Sequence, residues 1–485
     1  MLKINDKKRV IEEFKEGMSE DTFHIIANIS DKVIDYNQRS FDVVNEIDSS
    51  FDLQQKYESK ITPSLLILSA VQARMKQQFS ISEVPLALTS KEVINALNVN
   101  LSYSLEESIL KEANIRALLS KTESNELEFN NYFINYFNDF TNRYLKKSNV
   151  TCDVHILDCS ILDVNIDNSN YEGSTVTTKG GKKLRGYKIG MLRGITSNGG
   201  VVEEIIMDTA KTNDFKMTKE FILNTPYLKK GDYLLEDRGF IDLETIINLN
   251  KKGLYIVIPL RKDMDIYNAA IDEAKENNEW IKHPNPRRKG QSIALVKDLE
   301  NIWINAKDKF KKAENLKLDY KLNCCVIRFE KSKNKDILTD EEIISDDDKY
   351  AYACIVTNNT KISGCEIIRL YEMRPEIEED FRQLKDFWGL NTYKSTKYNI
   401  ISFIIMVSLI GYNFYKIFIE SKEGKKYIGK SLIVEEKHGL YITKEVRTAI
   451  VSKHYFGIFE IDELLDIYVD LNRQKRALLK QYLTL

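Results

Sequence analysis

The sequence predicts an α/β protein with a mixed sheet, and three observations lead to this fold class. Residues 1 to about 150 carry helical patterns with few glycines and prolines. From Val150 onward, runs of β-forming residues are separated by glycine and asparagine, which is typical of strands and turns. Further along the chain, predicted strands alternate with predicted helices, and this order indicates a mixed α/β sheet.

The N-terminal region, residues 1–150, is expected to be helical. Thr62-Pro63 is typical of an N-cap followed by proline in the first helical turn, and Ser90 of a second N-cap. Another helical pattern runs from Ser104 to Ser120. Two short helices separated by a turn suit a helix-turn-helix that binds DNA ends, but such pairs are also ordinary packing units. Acidic side chains outnumber basic ones here, which argues against a generally basic DNA-binding arm.

The first part of the core, residues 151–261, is predicted to open with a three-stranded meander. Its strands are rich in β-forming residues, and alternating helices and strands follow them. The predicted elements are strands at 153–162, 185–192, 200–208, 233–236 and 254–259, a turn at 237–240, and helices at 214–223 and from Leu243 onward.

Residues 262–349 change in character to charged loops with β-like runs at 292–296 and 323–329. We interpret them as a β-rich insertion and expect a largely separate unit beside the active site. The strand pattern resumes at Tyr350, so residues 350–420 are predicted to be the second part of the core. Residues 421–485 are expected to form a helical C-terminal region.

Composition excludes several classes of protein. The 485 residues are 43% hydrophobic with a net charge of −2, which suits a sizeable core and gives no global basic excess. The six cysteines form no Cys-x-x-Cys pair, so neither zinc nor a disulfide framework is expected. The N-terminus lacks the apolar stretch of a signal peptide. The apolar run 400–412 is too short to span a bilayer and is interpreted as a buried core helix, so we predict a cytoplasmic protein without a membrane partner.

Four polar residues share one face of a helix predicted near residue 380. At about 100° per residue, Tyr371, Arg374, Glu378 and Lys385 fall within an arc of about 60°. A phenol, a guanidinium, a carboxylate and an ammonium on one face are suited to hold phosphate and metal. The alternative is a solvated charged face with incidental salt bridges. Because Pro375 would disrupt the middle of a helix, we expect the helix to begin there.

Two aspartates lie where a mixed sheet can direct them toward a common point. Asp158 lies within the first predicted core strand, and Asp237 follows the fourth. With Glu378 they would form three mutually repelling carboxylates, for which the usual remedy is a divalent metal such as Mg²⁺ or Mn²⁺. Two such ions about 4 Å apart support in-line phosphoryl displacement. Each aspartate taken alone is more often a turn or cap residue.

These residues carry a resemblance to a known family. Asp158 with Ser160, Asp237-Arg-Gly-Phe240 after an apolar strand, and Tyr371-x-x-Arg374-x-x-x-Glu378-x-x-x-x-x-x-Lys385 are similar to the three motifs of the DDE transposases of bacterial insertion sequences. The group is the one with the Tyr-Arg-Glu-Lys signature, and the resemblance covers about residues 150–415. It implies a ribonuclease-H-like catalytic core. Pro375 departs from the pattern, because an aromatic residue is common at that position.

The resemblance also implies the activity and the site residues. Asp158, Asp237 and Glu378 would be catalytic and would bind metal, with two Mg²⁺ or Mn²⁺ ions as the cofactor. Tyr371, Arg374 and Lys385 would contact DNA near the transposon end. The expected function is a transposase that binds the ends of an insertion sequence as a homodimer and catalyses metal-dependent cleavage and strand transfer into target DNA.

Two other functions stay open at this point. One is a DNA-binding regulator of transposition that has lost catalysis, and the other is a metal-dependent nuclease without strand transfer. The basic runs 179–185 and 287–289 are candidates for DNA backbone contacts or are solvated loops. Trp280 and Trp303 are candidates for stacking on an unpaired base, although a core role suits them equally.

Overall fold

The structure is a computed structural model of the chain. It describes residues 4–16, 24–25, 29–52, 61–88, 90–98, 110–122, 126–197, 199–299, 321–331, 349–425, 441–442, 446–451 and 455–460, and residues 466–476 apart from 468 and 475.

The described part of the N-terminal region is mostly helical. Thr62 caps its fourth helix, since the Thr62 side chain accepts a hydrogen bond from the Leu65 backbone N–H at 3.1 Å. Ser90 caps the fifth, but residues 99–109 lie outside the described residues, so the helix-turn-helix stays a prediction. The helices are α1 Lys7–Glu16, α2 Ile29–Phe41, α3 Val43–Ser50, α4 Pro63–Met75, α5 Lys91–Leu97, α6 Glu112–Ser120 and α7 Tyr132–Lys147.

Two short strands in the N-terminal region, β1 Ile4–Asn5 and β2 His24–Ile25, were not predicted. Two residues carry too little periodicity to be recognised in a sequence.

In the described residues, a mixed sheet of ten strands forms the centre, which confirms the α/β class. The order is β4-β5-β3-β7-β8-β12-β11-β10-β9, and β6 also pairs with β5. The strands β3, β7 and β8 run parallel, and the other pairs are antiparallel. The strands are β3 Val154–Val164, β4 Thr175–Lys179, β5 Lys182–Thr196, β6 Gly199–Thr209, β7 Tyr233–Leu235, β8 Tyr255–Pro259, β9 Ile281–Lys282, β10 Gln291–Leu299, β11 Leu322–Glu330 and β12 Tyr350–Thr357.

Six helices accompany this sheet in the described residues. They are α8 Asp214–Asn224, α9 Leu243–Lys251, α10 Asp265–Asn277, α11 Gly364–Tyr371, α12 Pro375–Asp386 and α13 Tyr398–Glu420.

The last of these, α13, is the central core helix. It packs against α2, α4, α6, α7 and β6, and nearly all of its side chains are buried. With 23 residues and a mean hydropathy of 1.7 it is long enough to cross a membrane, but 89% of its apolar window is buried inside the protein. The predicted buried helix is therefore present, although the thirteen-residue length expected from the apolar run was too short. Polar residues near its C-terminal end, such as Asn413, are buried and hydrogen-bonded, so they do not end the helix.

The segment 262–349 is not the largely separate unit that we expected. Its strand β11 pairs with β12 along the whole of β12, and β12 pairs with β8, so the strands of this segment extend the core sheet. The segment also contains α10, where we expected charged loops; the buried Ile266, Ala270 and Ala274 form an apolar stripe among polar neighbours. The boundaries of the domains stay predictions.

The expectation of a helical C-terminal region is wrong for much of its described part. Three strands, β13 Tyr441–Ile442, β14 Val446–Val451 and β15 Tyr455–Glu460, form a second sheet with β1 and β2. Strand β1 pairs in parallel with β15, and β2 pairs antiparallel with β14. The runs that form β14 and β15 are rich in β-branched and aromatic residues, which favour strands over helices.

Candidate active site

Asp158 and Asp237 occupy equivalent positions on neighbouring strands. In the parallel pair of β3 and β7, Ile156 lies opposite Leu235. Asp158 is two residues beyond Ile156, and Asp237 is two residues beyond Leu235, so both aspartates extend from the same end of the pair. The parallel register therefore brings together two side chains that are 79 residues apart in the sequence.

Each aspartate is oriented by a backbone hydrogen bond. Asp158 Oδ1 accepts from the Cys159 N–H at 2.8 Å, and Asp237 Oδ1 accepts from the Arg238 N–H at 2.8 Å. Asp237 also caps the short 3₁₀ turn Arg238–Phe240, so the alternative role of a capping residue applies to it as well. In both residues the second carboxylate oxygen, Oδ2, faces the guanidinium of Arg374.

The motif helix α12 begins at Pro375, as predicted, and Arg374 is the residue just before it. Proline is tolerated at this first position because its missing N–H would have no partner within the helix. Ile377, Phe381 and Leu384 are buried, so the helix packs its apolar stripe into the core. Helix α12 packs against β3, the strand that carries Asp158.

The three candidate carboxylates converge on one side chain, the guanidinium of Arg374. Arg374 Nη2 lies 3.1 Å from Asp158 Oδ2 and 3.9 Å from Asp237 Oδ2, and Arg374 Nη1 lies 2.6 Å from Glu378 Oε1. The Arg374 side chain is 13% exposed and that of Asp158 is 15% exposed, whereas Glu378 is 58% exposed. A solvated charged face therefore does not describe the buried half of this cluster.

Burial and charge shift the pKa values within the cluster. Burial raises the pKa of the Asp158 carboxyl to about 6, although the Arg374 guanidinium opposes the rise. Burial alone would lower the pKa of Arg374, but the nearby Asp158 and Asp237 outweigh it, so its pKa is raised. Arg374 stays protonated and is the cation that neutralises part of the negative charge.

The donor atoms of the cluster are of the chemical type that binds divalent metal ions. Three carboxylates supply the hard oxygen ligands that Mg²⁺ and Mn²⁺ prefer. The single positive charge of the Arg374 guanidinium does not balance the three carboxylates, so the cluster keeps an excess of negative charge. Within the described residues, no three His, Cys, Asp or Glu side chains lie close enough together to hold a metal ion. The expected convergence is thus present around Arg374, whereas the closer spacing that a shared metal requires is not.

The other two residues of the motif face different surroundings. Lys385 Nζ donates a hydrogen bond to Ser160 Oγ at 2.8 Å, and burial lowers the pKa of this lysine. Tyr371 lines a cleft of about 440 Å³ together with Asp237 and Arg238, and burial raises the pKa of the phenol.

A second, basic cleft of about 340 Å³ adjoins the first and is lined by Lys282, His283, Arg288, Lys289 and Arg328. The two clefts share residues, and Arg288 Nε lies 3.4 Å from Glu372 Oε1, next to Tyr371. The basic run 287–289 thus contacts the residue that follows α11, in the turn that leads into α12.

A residue of the basic cleft, Arg328, packs against Trp280, one of the two tryptophans that are candidates for stacking on a base. The Arg328 guanidinium lies 4.2 Å from the ring centroid of Trp280 and 4.8 Å from that of Tyr350. One face of Trp280 is therefore already covered by a cation. Trp303 lies outside the described residues. The other basic run, 179–185, forms the tip of the β4–β5 hairpin around Gly180 and Gly181.

Sequence reasoning missed one group that contacts the motif helix. Arg193 of β5 pairs with Asp380 and Glu376 of α12, on the side of the helix away from Glu378. The predicted strand ended at Leu192, whereas the observed strand β5 continues to Thr196 and includes Arg193. The available signal was a charged residue directly after the apolar run that ends at Leu192.

Comparison with known proteins gives one family match. A family model described as the transposase DDE domain matches residues 162–414, which is more than half of the chain. The matched segment contains Asp237, Arg374 and Glu378, and it begins four residues after Asp158. No curated protein matches the chain significantly.

Proposed function

Because the chain belongs to the DDE transposases, a family of DNA phosphoryl-transfer enzymes, we propose that it cuts and joins DNA at the ends of an insertion sequence. The observation that carries this proposal is the convergence of Asp158, Asp237 and Glu378 on Arg374. Carboxylates from two parallel strands and one helix meet at a half-open site beside a cleft. All three acids are present, which favours an active enzyme over a regulator that has lost catalysis.

We propose that the core is ribonuclease-H-like. The order β6-β5-β3-β7-β8 supports this, with the first three strands antiparallel and the last three parallel. In such a sheet the carboxylates after two adjacent parallel strands lie at one edge, where a helix can bring a third.

Members of the family use divalent metal ions. In this chain Asp158, Asp237 and Glu378 would hold them, and we propose Mg²⁺ or Mn²⁺, with two ions bound. Bound ions would activate the attacking water or 3′-hydroxyl and stabilise the leaving oxygen. The side chains around the carboxylate cluster are proposed to bind the DNA, to orient the scissile phosphate and to limit the access of bulk water.

Arg374 is proposed to exchange its partners when DNA binds. Its planar guanidinium can clamp a phosphate in a bidentate manner. Among the described residues, the buried Arg374 Nε has no hydrogen-bond partner, so this donor is left for a ligand. A phosphate that drew the guanidinium away from Asp158 would leave the three carboxylates free for metal. DNA binding and metal binding would therefore support each other.

The remaining DNA contacts are proposed along the two clefts. Tyr371 and Arg238 line the cleft beside Asp237, and the basic cleft continues it with Lys289 and Arg328. Basic side chains of this kind neutralise backbone phosphates without reading the base sequence. A homodimer on DNA stays a prediction from the resemblance, and a cytoplasmic location stays a prediction from the sequence.

A joining assay tests the proposal. The purified protein is incubated with a labelled duplex that carries one end of the DNA flanking the open reading frame, a supercoiled plasmid and Mg²⁺ or Mn²⁺. A transposase cleaves the duplex at the element end and joins the new 3′ end to the plasmid. Cleavage without joining would indicate a nuclease, and binding without cleavage an inactive regulator.

A further inference from the structure

A buried ionic network holds the motif helix from the side opposite the carboxylate cluster. Arg193 in β5 is 2% exposed; its Nε donates to Asp380 Oδ2, and its Nη2 lies 3.0 Å from Glu376 Oε2. Both acids belong to α12. Asp380 is 5% exposed and also accepts from the Tyr412 hydroxyl of α13 at 2.5 Å. The network therefore joins a central strand, the motif helix and the core helix.

The sheet is shaped to hold the Arg193 side chain at this point. The register between β5 and β6 shifts at Arg193: Leu192 pairs with Glu204 and Arg193 with Val202, so the extra residue of this β-bulge, Glu203, lies on β6 opposite Arg193. Bulges redirect side chains and are frequent next to active sites. On β6, a Cβ at Gly200 would lie 2.5 Å from Arg193 Cζ, so only glycine leaves room for the guanidinium.

The two ionic contacts of α12 lie on different flanks of the helix. At about 100° per residue, Asp380 is about 160° around the helix from Glu378, and the apolar stripe lies between them. On one flank Arg374 contacts Asp158, and on the other Asp380 contacts Arg193. A rotation of α12 about its axis that moved Glu378 would have to break or stretch the Arg193–Asp380 contact.

We propose that Arg193 is a positioning residue that fixes the rotation of α12 and thereby the placement of Glu378. This inference rests on the proposed function of the carboxylate cluster. Burial of an Arg–Asp pair adds little net stability, because the cost of removing both charges from water offsets their attraction. The directional contact instead specifies one orientation. Its importance grows when Arg374 turns to a DNA phosphate, because the anchor to Asp158 is then lost while the Arg193 anchor remains.

The test removes both partners of the Arg193–Asp380 pair. The variant Arg193→Met/Asp380→Leu replaces them with apolar side chains of similar length, an exchange that is often neutral for stability. Lys416, whose Nζ lies 3.4 Å from Asp380 Oδ1, loses this partner as well, and thermal unfolding measures the cost. The control Arg382→Met/Glu379→Gln removes an exposed ion pair from the same helix. Each protein is assayed for thermal unfolding, for affinity for the duplex that carries the flanking end, and for single-turnover cleavage in Mg²⁺ and in Mn²⁺.

We expect the double variant to bind the duplex within about threefold of wild type and to cleave it about 10 to 100 times more slowly, because small misplacements of reacting groups cost about this much. The ratio of the Mn²⁺ rate to the Mg²⁺ rate should rise, since Mn²⁺ tolerates altered ligand geometry better than Mg²⁺. Arg193→Lys keeps a positive charge but loses the bidentate contact to Asp380 and Glu376. Its cleavage rate should therefore lie between those of wild type and the double variant. The control should match wild type.

The outcomes separate this inference from the proposed function. A wild-type protein that does not cut the duplex would contradict the proposed function itself. If wild type cuts and the double variant has the wild-type rate and metal preference, the positioning role is overturned while the function stands. Should the double variant not fold, Arg193→Lys is judged by the same criteria.

Discussion

Arg374 and Asp158, which are 216 residues apart in the sequence, form a direct contact at the end of the central sheet, with Nη2 and Oδ2 3.1 Å apart. The same guanidinium faces Asp237 and Glu378. A single arginine thus occupies the centre of three carboxylates that come from two strands and a helix. This relationship determines what each substitution in the cluster is expected to do.

The first prediction concerns catalysis. Glu378→Gln keeps the size of the side chain and removes the negative charge that a metal ion needs. Cleavage should fall by about 10²-fold or more, the scale of losing one charge partner in a transition state, while binding to the DNA end persists. Glu379→Gln, a change at the adjacent exposed acid, is the matched control. A Mg²⁺-dependent cleavage assay beside a gel shift makes the comparison, and cleavage by Glu378→Gln at the wild-type rate would remove Glu378 from the catalytic set.

The second prediction separates two effects of Arg374. Arg374→Ala removes a phosphate ligand, so DNA binding should weaken and the slope of log affinity against log salt should fall by up to about one unit. Because the guanidinium also neutralises Asp158 and Glu378, the variant without DNA should bind Mn²⁺ more tightly than wild type. Gel shifts across a salt series and calorimetric titration with Mn²⁺ measure the two effects. Unchanged Mn²⁺ affinity would show that Arg374 does not compete with metal.

The third prediction concerns the basic cleft. Lys289 lines it on the exposed basic run, so Lys289→Ala should weaken binding to duplexes of any sequence equally. The salt slope should fall by up to about one unit. Lys422→Ala, at an exposed lysine that follows α13, is the control. Loss of affinity for one DNA sequence alone would contradict a contact to the backbone.

The fourth prediction concerns stability and pH. His155 is buried in β3, with its Nδ1 2.7 Å from Glu203 Oε2 and its Nε2 3.4 Å from Asp232 Oδ2. Burial lowers the pKa of His155, but the two carboxylates outweigh it and the pKa is raised. A raised pKa in the folded state means that the contribution of the protonated ring is fully present below about pH 6.5, the unfolded value, and is lost as pH rises through the folded pKa.

Unfolding in urea at several pH values between about 6 and 9 should therefore show stability decreasing with pH, with at most about 1.4 kcal/mol per pH unit from this one proton. In His155→Gln that slope should flatten, and the variant should be less stable than wild type at the acid end, where the lost ion pair counts most. An unchanged slope would assign the pH dependence to other groups.

Much of the fold and of the site could be predicted because its signals are local. The strands β3, β5, β6, β8, β11 and β12 and the start of α12 at Pro375 follow from runs of a few residues with a clear period or a proline constraint. These inferences need no knowledge of which distant segments pair. The sequence also placed Asp158 and Asp237 each at a predicted strand, but their approach depends on the parallel pairing of β3 with β7.

The parts that could not be predicted depend on long-range pairing. Nothing in the sequence of β11 states that it pairs with β12, and this pairing joins the segment 262–349 to the core sheet. The contact between Arg193 and Asp380 spans 187 residues and appears once α12 is placed over β3 and β5. The central place of Arg374 also required the three-dimensional arrangement, because helical spacing relates it to only one of the three carboxylates, Glu378.

The position of α13 has a consequence for how the protein is made. This helix fills the interior between α2, α4, α7 and β6, elements encoded in the first half of the gene, yet it ends at residue 420. During synthesis at about 5 to 20 residues per second, the N-terminal helices wait many seconds beside the ribosome with their apolar faces uncovered. A messenger RNA truncated before codon 398 would thus yield a chain without the helix that completes its core. Such a chain would be bound by chaperones or degraded by proteases.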